Sequence, residues 1–436
     1  MRKVLIITYY WPPSGGAGVQ RWLKFVKYLR EFGWEPIVYT PENPESPESD
    51  LSLEIDIPEG IKVIRQPIWE PYTIYKRFLG QKKEDKIQAA FLSETKKKPF
   101  AEKIAVWARG NFFIPDARKF FIKPSVRFLL KYLEQHPVDL IISTGPPHSM
   151  HMIAMKIAET ASLPWLADFR DPWTGIDFYD DLRLTSWADA KHHRMESEVL
   201  QKADSITVIS PSMADEFRAI HQRDYEVITN GFDETECISG SPVSMDHKFS
   251  IAHVGTLTPS RNPAALWKTL SELVNENDDF RKDLEIKLVG KVDHMVISSL
   301  ESHGLQEYVN RQDYLPHKEV LRVQQTSQVL LLLINNTPNA KSILTGKLFE
   351  YLASKRPVIC IGPVDGDAAR ILSQTDAGRI SGFEDHQSVK RNILEYYMLF
   401  KQGNLKVNSK EIEKFSRKNL TSAMARFMDR TMAKGN

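Results

Sequence analysis

SILTGKLFEYLASKRPVICIGP, residues Ser342–Pro363, decides how the rest of the chain is read. Thr345 and Gly346 suit a helix start, and Leu348, Phe349, Leu352 and Ala353 fall on one face of the helix that follows. Lys347, Glu350 and Ser354 share the opposite face. Arg356-Pro357 ends the helix, and Val358–Ile361 before Gly362-Pro363 reads as a buried parallel strand. The unusual residue is Lys347. A cation in the first turn opposes the positive end of the helix dipole, unless an anion lies between its ammonium and the free backbone N–H groups. Glu350, one turn deeper, then stands where a carboxylate accepts two hydroxyls of a sugar ring. Phosphate at the helix start and ribose at the glutamate make half of a nucleotide-diphosphate site. The competing reading is a solvated i, i+3 ion pair between Lys347 and Glu350.

GKLFEYLASKRPV resembles the donor-site signature of GT-B glycosyltransferases, in particular the large retaining glycosyltransferase family four. The resemblance implies an α/β fold of two Rossmann-like domains facing across a cleft, with a C-terminal helix crossing back to the first domain. It implies that Glu350 binds the donor ribose and that basic residues bind the diphosphate. The family signature has two glutamates separated by seven residues. The first falls on Ser342 here, so the resemblance leaves open how the sugar ring is held and which sugar is used.

A chain of 436 residues is longer than one core normally organises, which favours two domains. Apolar residues at 42% and aromatics at 10% are ordinary for a globular protein, and a net charge of +2 argues against nucleic-acid binding over the whole surface. Cys237 and Cys360 suggest neither a disulfide framework nor a zinc site, so a reducing, cytoplasmic compartment is expected. MRKVLIITYYWPP has too short an apolar run for a signal peptide, and no stretch approaches a membrane span.

Upstream, Val4–Thr8, the Gly-rich turn with Gly15, Gly16 and Gly18, and a helix to about Phe32 open a βαβ unit. No acid ends the second strand, Pro36–Thr40, which weakens a nicotinamide reading. Residues 62–135 carry 17 Lys/Arg, Lys76, Arg77, Lys82 and Lys96–Lys98 among them, against 7 acids. Trp69, Trp107, Phe112, Phe120 and other rings are interleaved with them. The mixture fits a peripheral membrane surface on the inner face of the membrane, or a helical excursion with one buried face. Val138–Thr144 then ends at Gly145-Pro146-Pro147-His148, and Trp165–Phe169, with Asp168 inside it, delivers Arg170 and Asp171. Both are strand ends where catalytic residues gather. His192 and His193, in a charge-rich helix, read as solvated.

Within the resemblance, residues 1–238 form the acceptor-side domain, 246–412 the donor domain, and 413–436 the returning helix. Gly16 lies on the loop beside the reaction centre. Gly255 ends the strand Phe249–Gly255, and Arg261 takes the place of a phosphate-binding lysine, while Thr256 replaces the usual arginine. Asn335, Asn336 or Lys341 is expected to compensate for Ser342. Donor binding is therefore expected at Gly16, Gly255, Arg261, Asn335, Ser342, Thr345, Gly346, Lys347 and Glu350. His148, Arg170 and Asp171 are the catalytic candidates, with no cofactor and no metal, although Asp365-Gly366-Asp367 has the look of a chelating triplet. The implied reaction is sugar transfer from a nucleotide diphosphate sugar to a hydroxyl acceptor, with retention and by front-face displacement. The implied setting is bacterial cell-surface polysaccharide or glycolipid synthesis, the acceptor a lipid-linked sugar. A nucleotide-sugar 2-epimerase of the same fold, or a non-enzymatic membrane-surface binding protein, is the alternative.

Overall fold

The computed structural model describes residues 1–45, 49–70, 100–237, 244–313 and 315–434. Two compact units divide the chain. The first combines Met1–Thr229 with Arg417–Asn436; the second is Asn230–Ser416.

Seven strands form the first sheet: β1 (Arg2–Ile7), β2 (Trp34–Pro41), β3 (Lys62–Gln66), β4 (Leu140–Gly145), β5 (Trp165–Phe169), β6 (Ser205–Val208) and β7 (Glu226–Val227). Every pairing is parallel, in the order β3-β2-β1-β4-β5-β6-β7. The chain thus starts in the middle and winds outward both ways, as a doubly wound sheet does. Successive β1 side chains explain why both faces are covered. Leu5 and Ile7 join one buried cluster, Val4 and Ile6 the other. The helices are α1 (Ala17–Leu29), α2 (Phe100–Phe112), α3 (Lys119–Gln135), α4 (Ser149–Ala161), α5 (Ser186–Lys202) and α6 (Pro211–Ile220). α6 starts as its sequence dictates, with Pro211 in the first turn and the Ser210 hydroxyl accepting from the Met213 amide at 3.2 Å.

The second sheet holds β8 (Phe249–Val254), β9 (Leu284–Val289), β10 (Val309–Gln312), β11 (Val329–Leu333), β12 (Val358–Ile361) and β13 (Gly378–Ser381). They run parallel in the order β10-β9-β8-β11-β12-β13. Its longer helices are α7 (Ala264–Glu276), α8 (His294–Ser302), α9 (His317–Thr326), α10 (Gly346–Ser354), α11 (Asp367–Thr375) and α12 (His386–Lys401). The last helix, α13 (Arg417–Lys434), belongs to the first unit. Its Leu420, Met424 and Met428 are buried with Val19, Trp22 and Val26 of α1, and its Asp429 accepts from Trp34 Nε1 at 2.9 Å.

Three sequence expectations change here. Lys62–Gln66 is an edge strand paired with β2, so the helical excursion begins later; residues 71–99, with Lys76, Arg77, Lys82 and Lys96–Lys98, lie outside the described residues. The division of the chain falls at Thr229, earlier than composition places it, because Phe232 is buried in the second unit's core and its amide donates to Phe415 O at 3.1 Å. His192 is buried beneath Trp173, whose Nε1 donates to its Nδ1 at 3.0 Å; only His193 is exposed.

Candidate functional site

In the second unit, α10 leaves its first turn open. Thr345 occupies the N-cap position, but its hydroxyl makes no capping bond and has no partner among the described residues. At Gly346, a Cβ would meet nothing within 4 Å. Lys347 reaches back from this turn to the end of β8. Gly255 has φ +105°, and a Cβ there would lie 2.6 Å from both Cε and Nζ of Lys347. Glycine at 255 is thus required twice, by its backbone conformation and by the lysine packed against it.

The second cation is Arg261, in the turn before α7. Its Nε donates to Asn335 Oδ1 at 2.5 Å and its Nη1 to Thr256 O at 3.2 Å. Thr256 therefore contributes its carbonyl, and Asn335 holds the guanidinium. Burial, with repulsion from Arg261 added, pushes Lys347 down to about 7, against the pull of Glu350. Among the described residues no carboxylate lies within ion-pairing distance of Lys347. The solvated Lys347–Glu350 pair is therefore not formed. Glu350 instead accepts from Gln324 Nε2 of α9 at 2.9 Å, and Gln324 is fully buried. His253 of β8 lies buried nearby. Its Nδ1 is 3.1 Å from Leu331 O, and burial and the Lys347 charge keep it well below its usual pKa, hence neutral.

Two cations, an open helix start and a steered carboxylate are the set that a nucleotide diphosphate needs. Ser342 is buried, its hydroxyl donating to Asn339 O at 2.9 Å. Lys341 is not turned toward that position: it pairs with Asp365 at 2.5 Å on the surface. Asp367, buried at the start of α11, pairs with Arg370 at 3.1 Å, so the acidic triplet is divided between two cations.

Replacing Gly255 with alanine is expected to displace the Lys347 ammonium and strain the β8 turn. The cost should be about 1–3 kcal/mol in stability. Thermal unfolding and calorimetry with a nucleotide sugar would show both losses together.

The first unit presents its own strand ends. Asp168 is fully buried in β5 and takes five donors from four side chains. Arg21 reaches it at 2.8 Å through Nη2 and 3.1 Å through Nε, Trp22 Nε1 at 2.7 Å, and the Thr144 and Thr207 hydroxyls at 2.8 Å each. Burial alone would raise this carboxyl; the Arg21 charge and the hydrogen bonds outweigh it and hold the pKa below its ordinary value. The hub ties α1 to β4, β5 and β6.

Arg170 is clamped by backbone oxygens, through Nη1 to Gly18 O at 2.7 Å and through Nη2 to Pro146 O, and its own amide donates to Gly145 O at 2.9 Å. It joins the first turn of α1 to the loop after β4. Among the described residues Arg170 and Asp171 make no ion pair with each other, so the two are not a structural salt bridge. Crowding by surrounding protein moves the Asp171 carboxyl up to about 6, with Arg170 opposing and Asp177 adding repulsion.

His148 lies at the N-cap of α4, stacked 4.4 Å above Trp173. Burial, with His151, His192 and Arg170 adding to it, keeps His148 neutral. Its Nδ1 has no partner among the described residues. His151 bonds Ser143 Oγ at 2.8 Å and is pushed down to about 3 by burial. Gly16 caps α1 with φ +88° and open space where a Cβ would be. Glu196, which no sequence pattern singles out, accepts from the Trp173 and Thr174 amides at 3.2 and 3.3 Å and so holds the loop after β5.

Residues 15–231 match the family model described as a glycosyl transferase 4-like domain. No curated protein sequence matches the chain. Among solved structures, it is similar to sucrose-phosphate synthase from Thermosynechococcus elongatus, at 13% identity over 99% of this chain and 100% of that one, with a TM-score of 0.65. It is also similar to an α,α-trehalose-phosphate synthase from Burkholderia xenovorans in complex with glucose-6-phosphate, at 11% identity over 99% and 100%, TM-score 0.58. Anabaena HepE in complex with UDP-glucose follows at 12% identity over 100% and 99%, TM-score 0.57. With both parallel sheets and their strand order in view, residues 15–231 are a glycosyl transferase 4-like domain, in a chain built on the GT-B fold.

Proposed function

We propose that the protein transfers a sugar from a nucleotide diphosphate sugar to a hydroxyl acceptor, with retention and without a metal. The observation that carries this reading is the ammonium of Lys347, pressed against Gly255 with no carboxylate partner, beside Arg261 and the uncapped start of α10. The Lys347 ammonium, the Arg261 guanidinium and the amides of the helix start stabilise the charge that grows on a departing diphosphate, and being fixed in place they need no reorganisation. Glu350, steered by Gln324, takes the ribose hydroxyls. The bond from the anomeric carbon to the diphosphate oxygen breaks as the bond to the acceptor oxygen forms on the same face. The acceptor proton passes to a leaving phosphate oxygen. His148 with its free Nδ1 and Asp171 with its raised carboxyl orient the acceptor; Arg170 holds the loops that carry them.

The donor class to test first is a UDP-sugar, since the Anabaena HepE structure holds UDP-glucose. The acceptor we infer is a lipid-linked sugar in cell-surface polysaccharide or glycolipid synthesis, met at the inner face of the membrane. Among the described residues no helix is long and apolar enough to cross a membrane.

Calorimetry with a panel of nucleotide sugars tests the site. Glu350→Ala should weaken donor binding by about 2 kcal/mol, roughly thirtyfold in Kd, with the fold unchanged. Binding as tight as the parent's would remove Glu350 from the site. Incubation of the labelled donor without acceptor separates transfer from 2-epimerisation: an epimerised product would overturn the transferase reading.

A further inference from the structure

Helix α2, FAEKIAVWARGNF, turns Val106, Gly110 and Asn111 inward and leaves Trp107 and Phe112 outside. Gly110 fits a tight contact, since a Cβ there would lie 2.7 Å from Leu184 Cδ2. Asn111 fixes the neighbouring segment: its Oδ1 accepts from the Thr185 amide at 2.7 Å, and its Nδ2 donates to Arg183 O at 3.4 Å. Thr185 in turn caps α5, which places Trp187 two residues later, 65% exposed.

These elements, with Trp69 and Phe120 beside them, present several exposed rings. Trp69 and Phe120 meet edge to face at 4.9 Å, Phe120 and Phe113 at 6.1 Å, and Trp107 and Phe112 at 5.6 Å. Trp69 is 56%, Phe112 60% and Phe120 43% exposed. Lys119 binds the set together. Its ammonium is 5.2 and 5.0 Å from the Phe113 and Phe120 centroids and donates to Phe112 O at 2.5 Å. Lys191 lies 4.9 Å over Trp187, close enough for its charge to act on Lys119.

Large exposed aromatic groups held on rigid backbone mark a contact surface. The chemistry selects the contact. Tryptophan and phenylalanine suit the boundary layer of a bilayer, and lysines laid along their faces reach anionic head groups. We propose that this patch seats the first unit on an anionic lipid surface, with Trp69, Trp107, Phe112, Phe120 and Trp187 in the boundary layer and Lys119 and Lys191 at the head groups. The patch deepens the proposed function, resting on it only for the lipid-borne acceptor. It also extends past residues 62–135 to α5.

Co-sedimentation of the full chain with vesicles tests it. Vesicles of phosphatidylcholine containing about one third phosphatidylglycerol should capture the protein, and phosphatidylcholine alone should not. Trp107→Ser/Trp187→Ser should lose capture at least about tenfold, and Lys191→Ala about fivefold. Thermal unfolding and UDP-sugar calorimetry on the same samples should match the parent. The proposal is overturned if the double variant is captured as well as the parent. It is equally overturned if the parent ignores anionic vesicles and instead forms a Trp187-dependent dimer. Donor binding that fails while capture persists would sink the transferase reading alone.

Discussion

Lys347→Met should bind nucleotide sugar about a hundredfold more weakly than the parent while unfolding at a higher temperature. Both effects have one cause. The ammonium is held against Gly255 beside Arg261, where burial pushes its pKa to about 7. In the unfolded chain a lysine titrates near 10.5. Between those values the unfolded state binds the extra proton, so stability rises with pH, and at or below pH 7 the full penalty is present. Methionine removes that penalty. The gain should be ~1–2 kcal/mol, below what the shift alone would give, because the side chain keeps some contact with water. The ligand-free protein should therefore gain several degrees in Tm at pH 6.5 and progressively less as the pH approaches 10. Donor affinity runs the other way. A diphosphate needs the charged form, so parent affinity should fall about twentyfold between pH 6.5 and 8.5, as the apo lysine loses its proton. The methionine variant should show a flat profile. Calorimetry at five pH values with one UDP-sugar checks this, and a parent profile as flat as the variant's would remove Lys347 from the phosphate site.

The second large effect belongs to Asp168. Asp168→Ala should destabilise the first unit by about 3–5 kcal/mol, because it leaves the Arg21 guanidinium buried without its counter-charge. Asp168→Asn keeps the shape and part of the hydrogen bonding and should still cost about 2–4 kcal/mol. The pH dependence has the carboxylate sign. Folding holds this pKa below its unfolded value, so the stabilisation is complete above about pH 4 and is lost as pH falls through the folded pKa. Urea unfolding at pH 7 and pH 3 should show the parent losing stability toward acid by more than Asp168→Asn does. Equal acid sensitivity would mean that the pair contributes nothing through its charge.

How far the sequence carries is clear from these residues. α10 and β12 were readable from Ser342–Pro363 alone, because the apolar spacing of Leu348, Phe349 and Leu352 and the stop at Arg356-Pro357 are local features. The alternation in the second unit was readable for the same reason. Contacts across the fold were not. Arg21 and Asp168 are 147 residues apart, and nothing in either neighbourhood names the other. Gln324 is 26 residues from Glu350 and sits in a polar helix that looks solvated. His192 was read as exposed because its helix is rich in charge; its burial is set by Trp173, whose indole needs an acceptor. Lys341 looked available to the site until Asp365, 24 residues on, took it. Trp187 stood apart from the basic and aromatic span because α2 meets the start of α5 through the Asn111–Thr185 bond and the packing at Gly110, contacts between residues 74 apart in the chain.

The winding of the chain has a genetic consequence. The second unit is one uninterrupted segment, and its two ends lie side by side, joined by a bridge between Phe232 and Ser416. α13 then supplies Leu420, Met424 and Met428 to the oldest-synthesised half of the molecule. A ribosome must therefore translate α13 before the N-terminal half can close its core. A nonsense codon just after Ser416 would spare the second unit that immediately precedes it and harm the half translated first.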